Sequence, residues 1–321
     1  MGRISPTLPN ELIVLIIAKL DPDIPADQAA LASVLRVSSE FWELGAPLLY
    51  SSLYFHGDEL YRLLDCPPES NEAQQPLSDR KRRSLAFVRH LRIGGGIESQ
   101  TLERCVDVSL PNTPLFPNVE KLKLGGRSDH DTWCYEKNPP YQPPEDFVLF
   151  HTPDVCVWNW GARNQLDWLP MKGMRSFALH GHESARFFCD IQWVENDNSV
   201  TSIVKDKWVP PDWTSFRIYD DSGMGFIAHT VDAFTLQEQR LNARRPGLPP
   251  VEYFEYYDKE VCPGHRMAQS MAAHAEIEAR TTPTSVIKLS VYVADSKRLP
   301  PSCDVCEWGG KLDEIQKENA W

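Results

Sequence analysis

A chain of 321 residues with 42% hydrophobic content is long enough for a small helical module and a larger second domain. Its formal net charge of −12 argues against nucleic acid as a partner, because phosphate binding needs a positive field. No run approaches the roughly 20 apolar residues of a membrane span, Pro6, Pro9, Asn10 and Glu11 interrupt any secretory-signal layout, and thinly spread cysteines fit reduced thiols, so a cytoplasmic or nuclear location away from membranes is expected.

The first predicted helix opens at Leu8-Pro9-Asn10-Glu11-Leu12. Proline at the first helical position has no N–H to leave unpaired, and Glu11 sits near the positive end of the helix dipole. Leu12, Ile13, Val14, Leu15, Ile16, Ile17 and Leu20 follow until Asp21-Pro22, where the residue before proline is pushed out of the α region. Such a helix is apolar nearly all round. A module spanning residues 6–54 has too small an interior to cover every side of it, so one side is expected to meet another protein. A second helix offers Leu31, Val34 and Leu35; Ser38 or Ser39 caps a third, which presents Phe41, Trp42 and Leu44 and is expected to break at Pro47.

Leu8-Pro9-x-Glu11-Leu12, Ile16-Ile17 and Leu20, then Leu31-x-x-Val34-x-x-Val37-Ser38-x-x-Phe41-Trp42-x-Leu44 and Pro47-Leu48-Leu49-Tyr50, form an order that resembles the F-box family, in particular its short fungal variant. The resemblance implies a three-helix F-box over 6–54 that docks on a Skp-family adaptor and, through it, on a cullin scaffold. It makes the chain a non-catalytic, substrate-recruiting subunit of an SCF-type (Skp-cullin-F-box) E3 ubiquitin ligase in the ubiquitin-conjugation pathway. Carried over position by position, Leu8, Pro9, Leu12, Ile16, Ile17 and Leu20 supply the first adaptor contacts. Leu31, Val34 and Trp42 stand behind them or in the module's own core.

Residues 66–83 read as a linker, rich in proline, glutamate and glutamine and too polar to offset its ordering entropy. It ends in Arg80-Lys81-Arg82-Arg83, either a nuclear-import signal or the solvated start of the next element.

Over 84–321 a pattern recurs, apolar-x-x-apolar-x-apolar followed by a turn residue, with copies starting at Val88, Val119, Val155, Met174, Trp213, Val251 and Val286. The last two apolar positions of each copy alternate as a short strand with one buried face. The intervals are irregular, yet each suits one strand and its return. Val231–Arg245 and Arg266–Arg280 suit helices that carry the chain back for parallel pairing. The expected class is therefore α/β: the helical module, then an irregular leucine-rich-repeat-like curved sheet with helices or loops on its outer side, or else an ordinary open α/β sheet.

No metalloprotease, nucleophile-elbow or phosphate-loop motif occurs, and Gly94-Gly95-Gly96 lacks the third glycine of a dinucleotide loop, so no cofactor is expected. Cys262-x-x-His265 and Cys303-x-x-Cys306 have the side-chain types and local spacing of two halves of a four-ligand zinc site, or are unrelated thiols beside proline turns. His180-x-His182-Glu183 follows a predicted strand without a fourth partner in view and reads as surface histidine rather than a metal site. Residues alternating with the buried strand positions would share one client-binding face. His90, Arg92, Lys121 and Lys123 form its basic end, and Arg217, Tyr219, Tyr253, Glu255, Tyr257 and Tyr292 its tyrosine-rich end. The competing readings are an α/β-class enzyme with a helical prefix and an F-box scaffold outside any ligase.

Overall fold

The computed structural model describes residues 10–17, 19–20, 25–64, 77–94, 97, 99–110, 113–125, 144, 147–158, 174–180, 214–220, 251–257, 264–280, 285, 287–293 and 301–307. It begins with three helices, α1 (Asn10–Ile17), α2 (Pro25–Val34) and α3 (Ser39–Leu49). Ile17 and Leu31 form the buried centre of the trio, ringed by Leu20, Val34, Phe41, Leu44, Leu48 and Leu49. The Ser38 hydroxyl caps α3 by accepting from the Phe41 N–H at 3.1 Å. Contrary to expectation, Pro47 does not end α3: the Tyr50 N–H still reaches the Ala46 carbonyl at 2.9 Å, so near the helix end proline forgoes only its own bond. At Gly45 α3 lies so close to α2 that a Cβ would stand 2.6 Å from Leu35 Cδ2.

The rest is α/β. Eight strands, β1 (Ser52–His56), β2 (His90–Gly94), β3 (Lys121–Leu124), β4 (Asp154–Trp158), β5 (Ser176–His180), β6 (Ser215–Asp220), β7 (Val251–Tyr257) and β8 (Ile287–Val293), form one sheet in the order 1 to 8. Every neighbouring pair is parallel. Because parallel crossovers share one hand, an order that always steps to the next strand favours return helices on one side of the sheet. Packing agrees with this. Leu60 and Leu64 at α4 (Gly57–Leu63), Leu85 of α5 (Asp79–Ala86), Leu102 and Cys105 of α6 (Ser99–Val108) and Ile277 of α7 (Gly264–Arg280) share a core with Leu91, Leu122, Val155, Phe177 and Ile218 of the strands.

The first strand precedes the polar segment, so the sheet starts at residue 52 rather than 84. The end of the expected linker is helix α5, capped by Ser78. Its basic residues hold the two parts of the molecule together. Arg83 pairs with Glu43 at 2.5 Å, and the Arg80 and Arg83 guanidinium groups lie 5.1 and 4.8 Å from the ring of buried Trp42. Of the two predicted return helices, 266–280 lies within α7, and 231–245 is outside the described residues.

The register corrects two of the seven copies. Leu122 and Leu124 stand opposite Val155 and Val157, so Trp158 points away from the helices instead of continuing their core. Ile218 likewise pairs with Tyr253, which takes the helix-side position expected of Phe254. Both strands carry buried large side chains on both faces, Val157 and Trp158 in β4 and Tyr253 and Phe254 in β7, which blurs the alternation that fixes phase.

At the start of β4, the Asp154 carboxylate accepts from Arg175 Nε at 2.9 Å and from the Ser176 hydroxyl at 2.7 Å. Burial pushes its pKa up, but Arg175, Ser176 and Lys121 outweigh burial and hold it below the ordinary value. The folded value is thus lower than the unfolded one of about 3.9. The stabilisation it brings is complete above that pH and is lost as pH falls through the folded value. Wild type should therefore exceed Asp154→Asn in urea midpoint at pH 6, with the gap narrowing at pH 3; an equal gap at both would contradict the linkage.

Candidate functional site

On the sheet face turned away from the helices, two strands and one distant turn bring four metal-binding side chains together. Cys156 of β4, His180 of β5, and Cys303 and Cys306 of the turn place their donor atoms within 4.8 Å of one another. Cys306 Sγ is 3.6 Å from His180 Nε2. Cys156, His180 and Cys303 are buried and Cys306 is half-buried.

Each member is positioned by its own element. Cys156 sits in the fully covered middle of β4, where Val155 and Val157 face the helices. The His180 ring is held between two flat partners on adjacent strands, Trp158 and Tyr219, each with centroid 4.5 Å away and within 6° of parallel. The stack continues from Tyr219 to Phe254 at 5.2 Å and from Phe254 to Tyr292 at 6.2 Å. Such a sandwich fixes the plane of the imidazole and leaves its nitrogen edge as the part available to Cys306. The turn is closed by the Glu307 N–H, which donates to the Cys303 carbonyl at 2.8 Å. Glu307 itself has φ 59, the left-handed conformation common at the residue that ends a helical turn.

Burial pushes the Cys156 thiol well above its ordinary value. Cys306 is held far below its own by the neighbouring thiols of Cys156 and Cys303, against burial, with His180 adding to the effect. Burial disfavours a charged His180, yet Cys306 and Cys303 lift the ring to about 10. Lys123 pairs in register with Cys156 and lies 5.3 Å from the Trp158 ring, while Arg217 bonds Glu252 and Asp304 at 2.9 Å each.

A second feature lies on α1. Leu12, Leu15 and Ile16 are 47%, 59% and 54% exposed, whereas Ile17 is 2% exposed. One flank of the helix therefore enters the trio and the other faces outward. No family model, curated protein or solved structure matches this chain.

The residues expected at an adaptor contact thus divide. Leu12 and Ile16 are outward, and Leu8 and Pro9 lie outside the described residues. Ile17 and Leu31 are core instead, with Leu20 and Val34 packed against them, since a helix of this length needs one stripe to hold the trio. Trp42 is also core, against Phe87 at the junction with α5.

The expected client row divides as well. His90 is exposed, and Arg92, Lys121 and Lys123 are half-buried, with Arg92 4.7 Å from the ring of exposed Tyr54. Arg217 and Tyr219 share their face but are engaged by the turn and the stack, and Tyr292 closes the stack. Tyr253 is a correction: it is fully buried on the helix side, and Glu255 and Tyr257 hold alternate positions with it along β7.

Of the expected metal ligands, Cys303 and Cys306 lie together with Cys156 and His180. Cys262 is outside the described residues, and His265 stands in the first turn of α7. Sequence reasoning missed Cys156 altogether and grouped His180 with His182 and Glu183. The Cys-x-x-Cys spacing was the visible half of the signal.

Proposed function

We propose that the chain is a substrate-recruiting subunit of an SCF-type ubiquitin ligase, its N-terminal helices docking on a Skp-family adaptor and its sheet holding a client protein. The observation that carries the reading is the division of α1, with Leu12, Leu15 and Ile16 outward and Ile17 inward. Three large side chains on one turn and a half of helix form an apolar face, and burying each against a partner contributes roughly 1.5–3 kcal/mol before entropy is subtracted. The order of apolar residues that resembles the F-box family runs through this same face at Leu12 and Ile16.

For the larger part, the proposal is a leucine-rich-repeat-like sheet. Support comes from the eight parallel strands in sequence order, with the described helices α4 to α7 packed on one face. Such an order has no switch point among the described strands, the place where open α/β sheets build their ligand crevices. A binding surface therefore suits this sheet better than an enzyme's cleft. Because the 303–306 turn occupies the middle of the free face, client contact falls to the β1–β3 end, where Tyr54, Arg92, Lys121 and Lys123 offer an aromatic ring and cations. A client segment with acidic side chains fits that end, although the chain as a whole is acidic.

The test uses the full chain. Leu12→Asp with Ile16→Asp should weaken co-purification with the adaptor more than about 100-fold, two buried contacts at about 1.4 kcal/mol per decade being enough. Both positions are exposed, so circular dichroism and melting temperature should stay as in wild type. Undiminished adaptor binding by this double variant would refute the assignment.

A further inference from the structure

We infer that Cys156, His180, Cys303 and Cys306 bind one zinc ion, in a closed structural site that fastens the 303–306 turn to the middle of the sheet. The donor set is the first ground. Three sulfurs and one imidazole nitrogen already lie within 4.8 Å of one another. A zinc tetrahedron with bonds of about 2.3 Å to sulfur and 2.0–2.1 Å to nitrogen has edges near 3.5–3.8 Å. The 3.6 Å between Cys306 and His180 is such an edge, and the others need only small side-chain adjustments. Soft thiolates select zinc over calcium or magnesium, and four protein donors leave no open coordination position for catalysis.

The surroundings are the second ground, independent of the donors. The turn is a single helical turn that ends at Glu307, whose N–H returns to the Cys303 carbonyl and whose φ is 59, and this geometry sets Cys303 and Cys306 on one side of it. Ala178 stands between Cys156 and Arg217 across the strands and is packed with Cys303, so the smallest side chain of that row lies where the turn approaches the sheet. His180 is pre-oriented by its two stacked neighbours, the kind of support that fixes a ligand's ring. Zinc with three thiolates leaves one net negative charge, and Lys123 and Arg217 flank the Cys156 row. The inference stands apart from the adaptor reading and survives or fails without it.

Elemental analysis of the full chain, purified under reducing conditions without chelators, should give about one zinc per chain. After chelation, titration with cobalt(II) should produce the intense visible bands and thiolate charge-transfer absorption of a tetrahedral sulfur-rich site. Cys156→Ser and Cys306→Ser should each lower zinc retention against a competing chelator at least about tenfold, while Cys262→Ser and His265→Ala should keep it. Zinc below about a tenth per chain in wild type, together with no cobalt bands, would overturn the site. So would retention by Cys156→Ser with loss in Cys262→Ser, which would move the metal to other ligands. The cobalt titration of wild type decides the matter even where a cysteine variant fails to fold.

Discussion

Stripping zinc from the full chain with a strong chelator is expected to lower its melting temperature by about 8–16 °C, and adding zinc back should restore it. Binding to the native state alone stabilises by about 4 kcal/mol when free ligand exceeds Kd a thousandfold, and each kcal/mol moves the midpoint of a domain of this size by about 2–4 °C. The effect is large because the ion would join parts of the chain that are far apart in sequence: two central strands and a turn beyond β8. Magnesium, which prefers oxygen ligands, should not substitute. Calorimetry with and without chelator makes the measurement, and coincident melting curves would deny the ion any structural role.

Trp42→Ala is expected to destabilise the molecule by about 3–5 kcal/mol, the usual cost of emptying a buried tryptophan site. Trp42 is 5% exposed and packs with Leu35 and Ala46 in its own module and with Phe87, 6.0 Å away, in the next. Arg80 and Arg83 lie over its ring, so the change also removes two cation–π contacts that bridge the same boundary. Loss of this joint should split one unfolding transition into two, the helical trio melting before the sheet. Urea unfolding followed by fluorescence and circular dichroism reads this directly. A variant within about 0.5 kcal/mol of wild type would show that Trp42 does not carry the junction.

The α/β class and the helix-side positions of β2, β3, β5 and β6 were legible because one face of each strand is marked by an alternating apolar pair. The phase of β4 was not, since Val155, Cys156, Val157 and Trp158 are an unbroken apolar run, which carries no period of two. In β7 the adjacent aromatics Tyr253 and Phe254 are both buried, on opposite faces, with the same result. Half of the metal centre was visible as Cys303-x-x-Cys306, because both ligands share a turn. Cys156 and His180 are single residues on separate strands, and only the pairing of β4 with β5 and the seating of the turn bring them there. On α1 the sequence was too apolar to say which flank turned inward; Ile17 settles that by meeting Leu31.

A sheet whose neighbours in space are also neighbours in sequence can be laid down one strand at a time, each edge templating the next as synthesis proceeds. The Cys303–Cys306 turn breaks that schedule, because it returns to strands completed long before. Until those last ligands emerge, the ring stack around His180 stays uncovered, and a ribosome-bound intermediate would present an aromatic surface for chaperones to shield.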